Sequence, residues 1–340
     1  MRAILYSQTG DPSVLRLMER SVPQPGPGEV RIRVQVSGVN PTDWKARRGA
    51  GPGQPPAFPE VVPNQDGAGT VDAVGPGVAS TRMGERVWLW EAAWQRADGT
   101  AQEYVVLPER QAVPLPDDAS FDLGASLGIP ALTAHRCLTV SGAGPERLAP
   151  GTLDGGVVLV AGGAGAVGNA AIQLARWAGA TVVTTVSSAE KADLARAAGA
   201  DVVVNYRTGD AAAAIRHAAP DGVDIVVEVA PGANRALNEA VVSTAGTIAV
   251  YASDGPGDLA LPVFPLMVKN AGYQFVLVYT VPAAAKAHAV DDVSAAVAAG
   301  ALRVGEDAGL PLHHFPLDQA AAAHAAVEAG VVGKVLIDVG

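Results

Sequence analysis

The sequence predicts an α/β protein in two parts, a β-rich first part and a doubly wound parallel sheet, and three observations carry that prediction. Residues 1 to about 120 hold short alternating or apolar segments, each bounded by Gly, Pro or Asp. From about residue 124 the pattern changes to Val- and Ile-rich runs separated by Ala-rich stretches of helical length. Between the first of these runs and the stretch that follows it stands Gly163-Ala164-Gly165-Ala166-Val167-Gly168, which has the spacing G-x-G-x-x-G.

Taken in order, Val30-Arg31-Ile32-Arg33-Val34-Gln35-Val36 alternates apolar and polar residues without a miss, so one face of that strand is buried and the other meets water. Further strands are expected at 3–7, 70–74, 86–90 and 103–107, a spacing that suits a small antiparallel barrel or sandwich. Residues 49–59 are rich in Gly and Pro and read as a surface loop. In the second part, strands are expected at 157–161, 181–186, 202–205, 225–229, 247–251 and 273–278. Most are continuous apolar runs, as befits a parallel sheet covered on both faces. Helices at 170–177, 189–198 and 211–217 fall between them and give successive βαβ crossovers. A helix near 283–299 and a last strand in Lys334-Val335-Leu336-Ile337-Asp338-Val339 exceed what six strands need and are expected to return to the first domain. The expected domains are therefore 1–123 with 280–340, and 124–279.

With 34 acidic and 24 basic residues the chain of 340 carries a formal charge of −10, which argues against nucleic-acid binding, because that needs clustered Lys and Arg. Hydrophobic residues make up 49% and charged ones 17%, a globular composition rather than a disordered one. The single cysteine, Cys137, excludes an intramolecular disulfide and a cysteine-type structural zinc site, and fits a reducing, cytoplasmic setting. The N-terminal apolar stretch is too short for a signal peptide. The longest apolar run, 157–175, is broken by glycines, Asn169 and Gln173, so a soluble protein is expected.

A G-x-G-x-x-G turn that follows a strand and opens a helix offers close backbone approach, free N–H groups and a positive dipole end to a pyrophosphate. An NAD site would place Asp or Glu at the end of the second strand, whereas here that strand ends Thr185-Val186-Ser187-Ser188. Without that anion a 2′-phosphate meets no repulsion, Ser187 and Ser188 can donate to it, and Lys191 adds charge, so NADPH is favoured. Lys191 also reads as an ordinary solvated helix residue. Ser187-Ser188-Ala189-Glu190 reads as a capping box with Ser187 as N-cap and Glu190 at N3. Tyr206 either packs beside the adenine or its phosphate or covers a strand end. Val229-Ala230, Tyr251-Ala252-Ser253 and Val276-Leu277-Val278 stand at the carboxyl ends of later strands, where they would line the dinucleotide crevice.

These motifs converge on a family. Gly38-Val39-Asn40-Pro41-Thr42-Asp43, Asp66-Gly67-Ala68-Gly69, Gly84-Glu85-Arg86-Val87, Gly128-Ile129-Pro130-Ala131-Leu132-Thr133-Ala134, the glycine turn, Gly199-Ala200-Asp201, Asn205-Tyr206 and Gly333-Lys334-Val335 run in one order over nearly the whole chain. In them the chain resembles the zinc-independent medium-chain dehydrogenases/reductases, specifically the NADPH:quinone oxidoreductases that include zeta-crystallin. The resemblance implies a GroES-like β-barrel domain interrupted by a Rossmann domain with a six-stranded parallel sheet, an active-site cleft between them, and a homo-oligomer, dimer or tetramer, built through the last Rossmann strand. It implies that Ala164, Gly165, Ala166 and Val167 touch the pyrophosphate, that Ser187, Lys191 and Tyr206 surround the 2′-phosphate, and that Asn234, Tyr251, Ala252, Ser253, Val276, Leu277 and Val278 approach the rest of the cofactor. Asn40 and Thr133 would lie near the nicotinamide. Two positions depart from the family: Lys45 stands where a tyrosine is frequent, and Ala166 replaces a usual glycine, a change that a negative φ tolerates.

Zinc alcohol dehydrogenases of the same superfold would need a cysteine near Asn40, Gly-His-Glu near Gln65-Asp66 and a four-cysteine lobe, and the sequence has none of these. His313 and His314 are adjacent rather than at ligand spacing, and no nucleophile–base arrangement is legible. Hydride transfer from the nicotinamide to an electron-poor acceptor, a quinone or an α,β-unsaturated carbonyl, is the expected chemistry. Asn40 is expected to bond the nicotinamide ribose or the acceptor oxygen, while Asp43, Trp44 and Lys45 shape the pocket. His135 reads as a core or cleft-wall residue. The alternatives are an enone or enoyl reductase and an NADPH-binding protein without turnover.

Overall fold

The computed structural model describes residues 1–142, 144–253 and 258–340. In chain order the elements are β1 (Arg2–Leu5), β2 (Arg16–Glu19), β3 (Glu29–Val39), α1 (Pro41–Arg48), β4 (Asp66–Val74), β5 (Arg86–Leu89), β6 (Tyr104–Pro108), β7 (Ala112–Pro114) and α2 (Phe121–Thr139). There follow β8 (Val157–Ala161), α3 (Ala166–Trp177), β9 (Thr181–Val186), α4 (Ala189–Ala197), β10 (Val202–Asn205), α5 (Ala211–Ala218), β11 (Val223–Glu228), α6 (Pro231–Val241), β12 (Val242–Val250), α7 (Val263–Lys269), β13 (Gly272–Phe275) and α8 (Ala283–Ala298). The chain closes with β14 (Leu312–Pro316), α9 (Ala320–Glu328) and β15 (Lys334–Asp338). It divides into two compact units, residues 1–129 with 311–340, and residues 130–310.

The first unit is built on β3, whose alternating half buries Val30, Ile32 and Val34 while Arg33 stays exposed. Beyond Val36 the alternation stops, because β3 is there covered on both faces. The sheet runs β14-β15-β3-β4-β5-β7, with β6 on the first half of β3 and β15 on its last residues. Only β14 and β15 pair in parallel.

The second unit is a six-stranded parallel sheet in the order β10-β9-β8-β11-β12-β13. Counted along the chain this is 3-2-1-4-5-6, the doubly wound order whose direction reverses between β8 and β11. Leu159, Val183, Val226 and Ile248 from four adjacent strands share one core with Ile215 of α5 and Val241 of α6.

Several expectations are corrected. The return to the first unit begins at residue 311, not 280, because α8 is tied within residues 130–310: Asp292 accepts from His135 Nε2 at 2.8 Å and from Leu148 N at 2.7 Å, and pairs with Arg147. Helix α4 is capped by Ser188, whose Oγ accepts from Lys191 N at 3.3 Å, so Ser187 is not the N-cap and Glu190 falls at the second helical position. Strand β9 ends at Val186 against Asn205, which leaves Ser187 between the strand end and the cap. The last Rossmann strand stops at Phe275, and 278–280 form a 3₁₀ turn. Helices α1, α6, α7 and α9 and strands β2, β7 and β14 lacked a legible period, being short or rich in alanine and polar residues.

Candidate functional site

The turn after β8 divides the work of its glycines. The positive φ that the tight turn needs, +71°, falls on Gly162, one residue before the hexapeptide. A Cβ on Gly163 would collide with Thr184 Oγ1 of β9, and one on Gly168 would collide with the carbonyl of Gly162, so these two glycines let strand, turn and helix close up. Gly165 differs, since a Cβ there meets nothing nearer than Gly162 O at 3.5 Å. It precedes α3 in extended conformation (φ −83°, ψ 162°) and leaves the helix start open. The N–H groups of the first helical residues, Ala166, Val167 and Gly168, have no partner of their own within an α-helix. This bare cradle fits a pyrophosphate. Ala166 has helical backbone and negative φ, so its side chain brings no strain. Ala164 is buried and contributes packing.

At the next strand end no carboxylate occurs between Thr181 and Ala189. Tyr206, half exposed, donates its N–H to Val186 O at 3.1 Å, which sets it beside the end of β9 with Ser187. Ser188 is engaged as the α4 cap, and Lys191 is partly buried on the first turn of that helix. On the other side of the order reversal, Val229 Cγ1 lies 3.6 Å from the position of a Gly162 Cβ, so the turn after β11 abuts the turn after β8. Tyr251 follows β12 and donates its N–H to Glu228 O at 3.0 Å, with Ala252 and Ser253 next in the chain. Val276 N donates to Val250 O at 2.8 Å. Val276 and Val278 are buried whereas Leu277 is exposed. Thr133 is buried on α2 within the same unit. The amide of Asn234 is engaged by Glu228, a residue the sequence reading passed over. Its only signal was a carboxylate closing an apolar strand, with asparagines six and ten residues on.

In the first unit the end of β3 gathers a buried polar cluster. Pairing sets Asp66 opposite Gly38 and runs β15 back from Lys334 alongside Val39. Asn40 Nδ2 donates to Asp66 Oδ2 at 2.7 Å, Lys334 Nζ donates to Asn40 Oδ1 at 2.7 Å, and Asn40 N donates to Asp43 Oδ2 at 2.7 Å. Asp66 Oδ1 accepts from Ile129 N at 2.8 Å, and Lys334 Nζ stands 3.6 Å from Asp66 Oδ2. Burial, with the charge of Asp66 added, pushes the Asp43 carboxyl up to about 8. Burial likewise raises Asp66, against the opposing pull of Lys334, and lowers Lys334, against the pull of both carboxylates.

The structure thus brings together Asn40 and Asp43 of the sequence-predicted residues and adds Asp66 and Lys334. The Asn40 amide is engaged at both ends inside the protein. Lys45 is not part of the cluster: two residues on from Asp43 it falls on the opposite face of α1, exposed, with its ammonium 5.7 Å from the Trp44 ring centre. Among the described residues no group of three or more His, Cys, Asp and Glu side chains is arranged to hold a metal ion, and no helix is long and apolar enough to cross a membrane. Cys137 is buried, which raises its thiol pKa, and His135 is buried against Asp292.

The alcohol dehydrogenase GroES-like domain family matches residues 26–117, and the zinc-binding dehydrogenase family matches residues 166–297. A quinone oxidoreductase of Rattus norvegicus is 32% identical over 257 residues, 75% of this chain and 74% of that protein. A solved NAD-dependent alcohol dehydrogenase is 29% identical with a TM-score of 0.85, covering all of both chains. A mycobacterial protein solved in complex with NADPH is 31% identical with a TM-score of 0.80, covering 99% of each chain.

Proposed function

Because the chain belongs to the zeta-crystallin-like quinone oxidoreductase family of medium-chain dehydrogenases/reductases, we propose that this NADPH-dependent oxidoreductase passes a hydride to a quinone-type acceptor without a metal ion. The observation that carries the reading is the open start of α3 at Gly165, beside a second strand end that has no carboxylate. NADPH supplies the hydride when bound. The N–H groups of Ala166, Val167 and Gly168 hold its pyrophosphate, and Ser187, Lys191 and Tyr206 surround its 2′-phosphate. Asn234, Tyr251, Ala252, Ser253 and Val276 to Val278 line the crevice for the nicotinamide half, with Thr133 of the same unit beside them.

Asn40 and Asp43 act as positioning groups, since their polar atoms are bound within the buried cluster. The metal-free reading draws on the same cluster, which has no cysteine or histidine and already seats the Lys334 ammonium against Asn40 and Asp66. That cation repels a second one. For a quinone, the hydroquinone anion formed by the hydride takes its proton from water, so orienting the acceptor against the nicotinamide suffices and no acid of the protein is required. A homo-oligomer through β13 and a cytoplasmic location belong to the same proposal.

The test is oxidation of NADPH, followed at the nicotinamide absorbance, with a quinone, with an alkenal and with no acceptor, in the presence and absence of a chelator. Quinone turnover that the chelator leaves unchanged is expected. Faster turnover of the alkenal makes the protein an enone reductase. Saturable NADPH binding without oxidation by any acceptor makes it a non-catalytic binding protein.

A further inference from the structure

Glu228 closes β11 and is completely buried, yet among the described residues no Lys, Arg or His forms an ion pair with it. A buried carboxylate of this kind needs other compensation. It receives three donors: Ala230 N at 2.6 Å and Asn234 Nδ2 at 2.9 Å on Oε1, and Asn238 Nδ2 at 2.6 Å on Oε2. Asn234 and Asn238 are four residues apart and therefore share one face of α6. The carbonyl of Glu228 also accepts from Tyr251 N, the residue after β12. One side chain and its backbone thus fasten the end of β11, the first turns of α6 and the end of β12. The residue between these bonds, Val229, faces Gly162 across the point where the strand order reverses. Dinucleotides lie across that point in doubly wound sheets.

We propose that Glu228 is a positioning residue for the nicotinamide half of the cofactor, holding the β11–α6 turn and Tyr251 in the shape that receives it. The proposal rests on the reading of the second unit as an NADPH site. On that reading the adenosine half would lie on the far side of β8, at the ends of β9 and β10, whereas the bonds of Glu228 run to Ala230, Asn234, Asn238 and Tyr251.

Titration calorimetry of the full chain with NADPH and with adenosine 2′,5′-bisphosphate, which lacks the nicotinamide half, separates the two. Glu228→Met keeps length but removes both acceptors; the expected result is at least about a tenfold rise in Kd for NADPH, with Kd for the bisphosphate unchanged within about twofold. Glu228→Gln is expected to restore NADPH binding, because its carbonyl oxygen takes the place of Oε1 and the Asn238 amide can turn over to meet its NH₂. Should Glu228→Met fail to fold, Glu228→Asp draws the carboxylate back by one methylene and is expected to weaken NADPH alone. Equal loss of both ligands, or NADPH binding unchanged in both the Met and Asp variants, overturns the proposal. Wild-type protein that binds neither ligand overturns instead the reading of the unit as an NADPH site.

Discussion

Gly165 and Gly168 belong to one motif and answer to different forces. At Gly165 a methyl group fits the protein and intrudes only on a ligand, so Gly165→Ala is expected to unfold at the wild-type urea midpoint while its Kd for NADPH rises at least about tenfold. At Gly168 the methyl group meets the carbonyl of Gly162, and Gly168→Ala is expected to lose about 1–3 kcal/mol of stability by overpacking. Equal midpoints for the two variants would contradict this division. Asn40 is a third case. Its amide links Asp66 to Lys334 where water is excluded, so Asn40→Ala leaves two buried ionic groups short of a partner and is expected to cost about 3 kcal/mol in urea unfolding. A loss below about 1 kcal/mol would mean that the cluster rearranges around the gap.

Among the elements, α9 is held to the loop before β4 by His324, whose Nε2 meets Asn64 Oδ1 at 3.0 Å. Burial, with the charge of Arg47, depresses this imidazole to about 3. The unfolded chain takes up a proton on it near pH 6.5, whereas the folded chain does not until about 3. Stability from this group is therefore complete above pH 6.5 and falls as the pH drops toward 3. His135, lowered by burial in spite of Asp292, acts in the same direction on α2 and α8. Asp43, raised by burial, acts in the opposite direction between its unfolded value and about 8. The test is thus a comparison: urea midpoints of His324→Gln, which keeps a donor for Asn64, are expected to fall less steeply between pH 6.5 and 4 than those of wild type. Identical slopes would show that His324 is protonated in the fold.

For the whole molecule, the edge of the six-stranded sheet is the least finished surface. Phe275 on β13 is 71% exposed and Phe264 on α7 is 73% exposed, with Val263, Met267, Val268 and Leu277 beside them in the chain and also exposed. An unpaired strand edge flanked by apolar side chains invites a second copy. Phe264→Glu combined with Phe275→Glu is expected to shift the molecular mass in solution from a multiple of 34.3 kDa to that of one chain, as read by light scattering. A wild-type chain that is already monomeric at micromolar concentration would refute the proposed oligomer. Each unit has its own core, and the chain crosses between them within α2 and again near residue 311. By itself the sequence determined the six parallel strands, the alternating face of β3, the glycine turn and the missing carboxylate after β9, because each of these depends on neighbours close in the chain. Only the tertiary structure decided that Gly162 makes the turn, that Ser188 caps α4, that α8 stays with the second unit, and that Asp66, Lys334 and Glu228 are buried polar anchors. Those outcomes depend on which strands pair and which charges lose water together, and residues as far apart as Asn40 and Lys334 are brought together only once the sheet has formed.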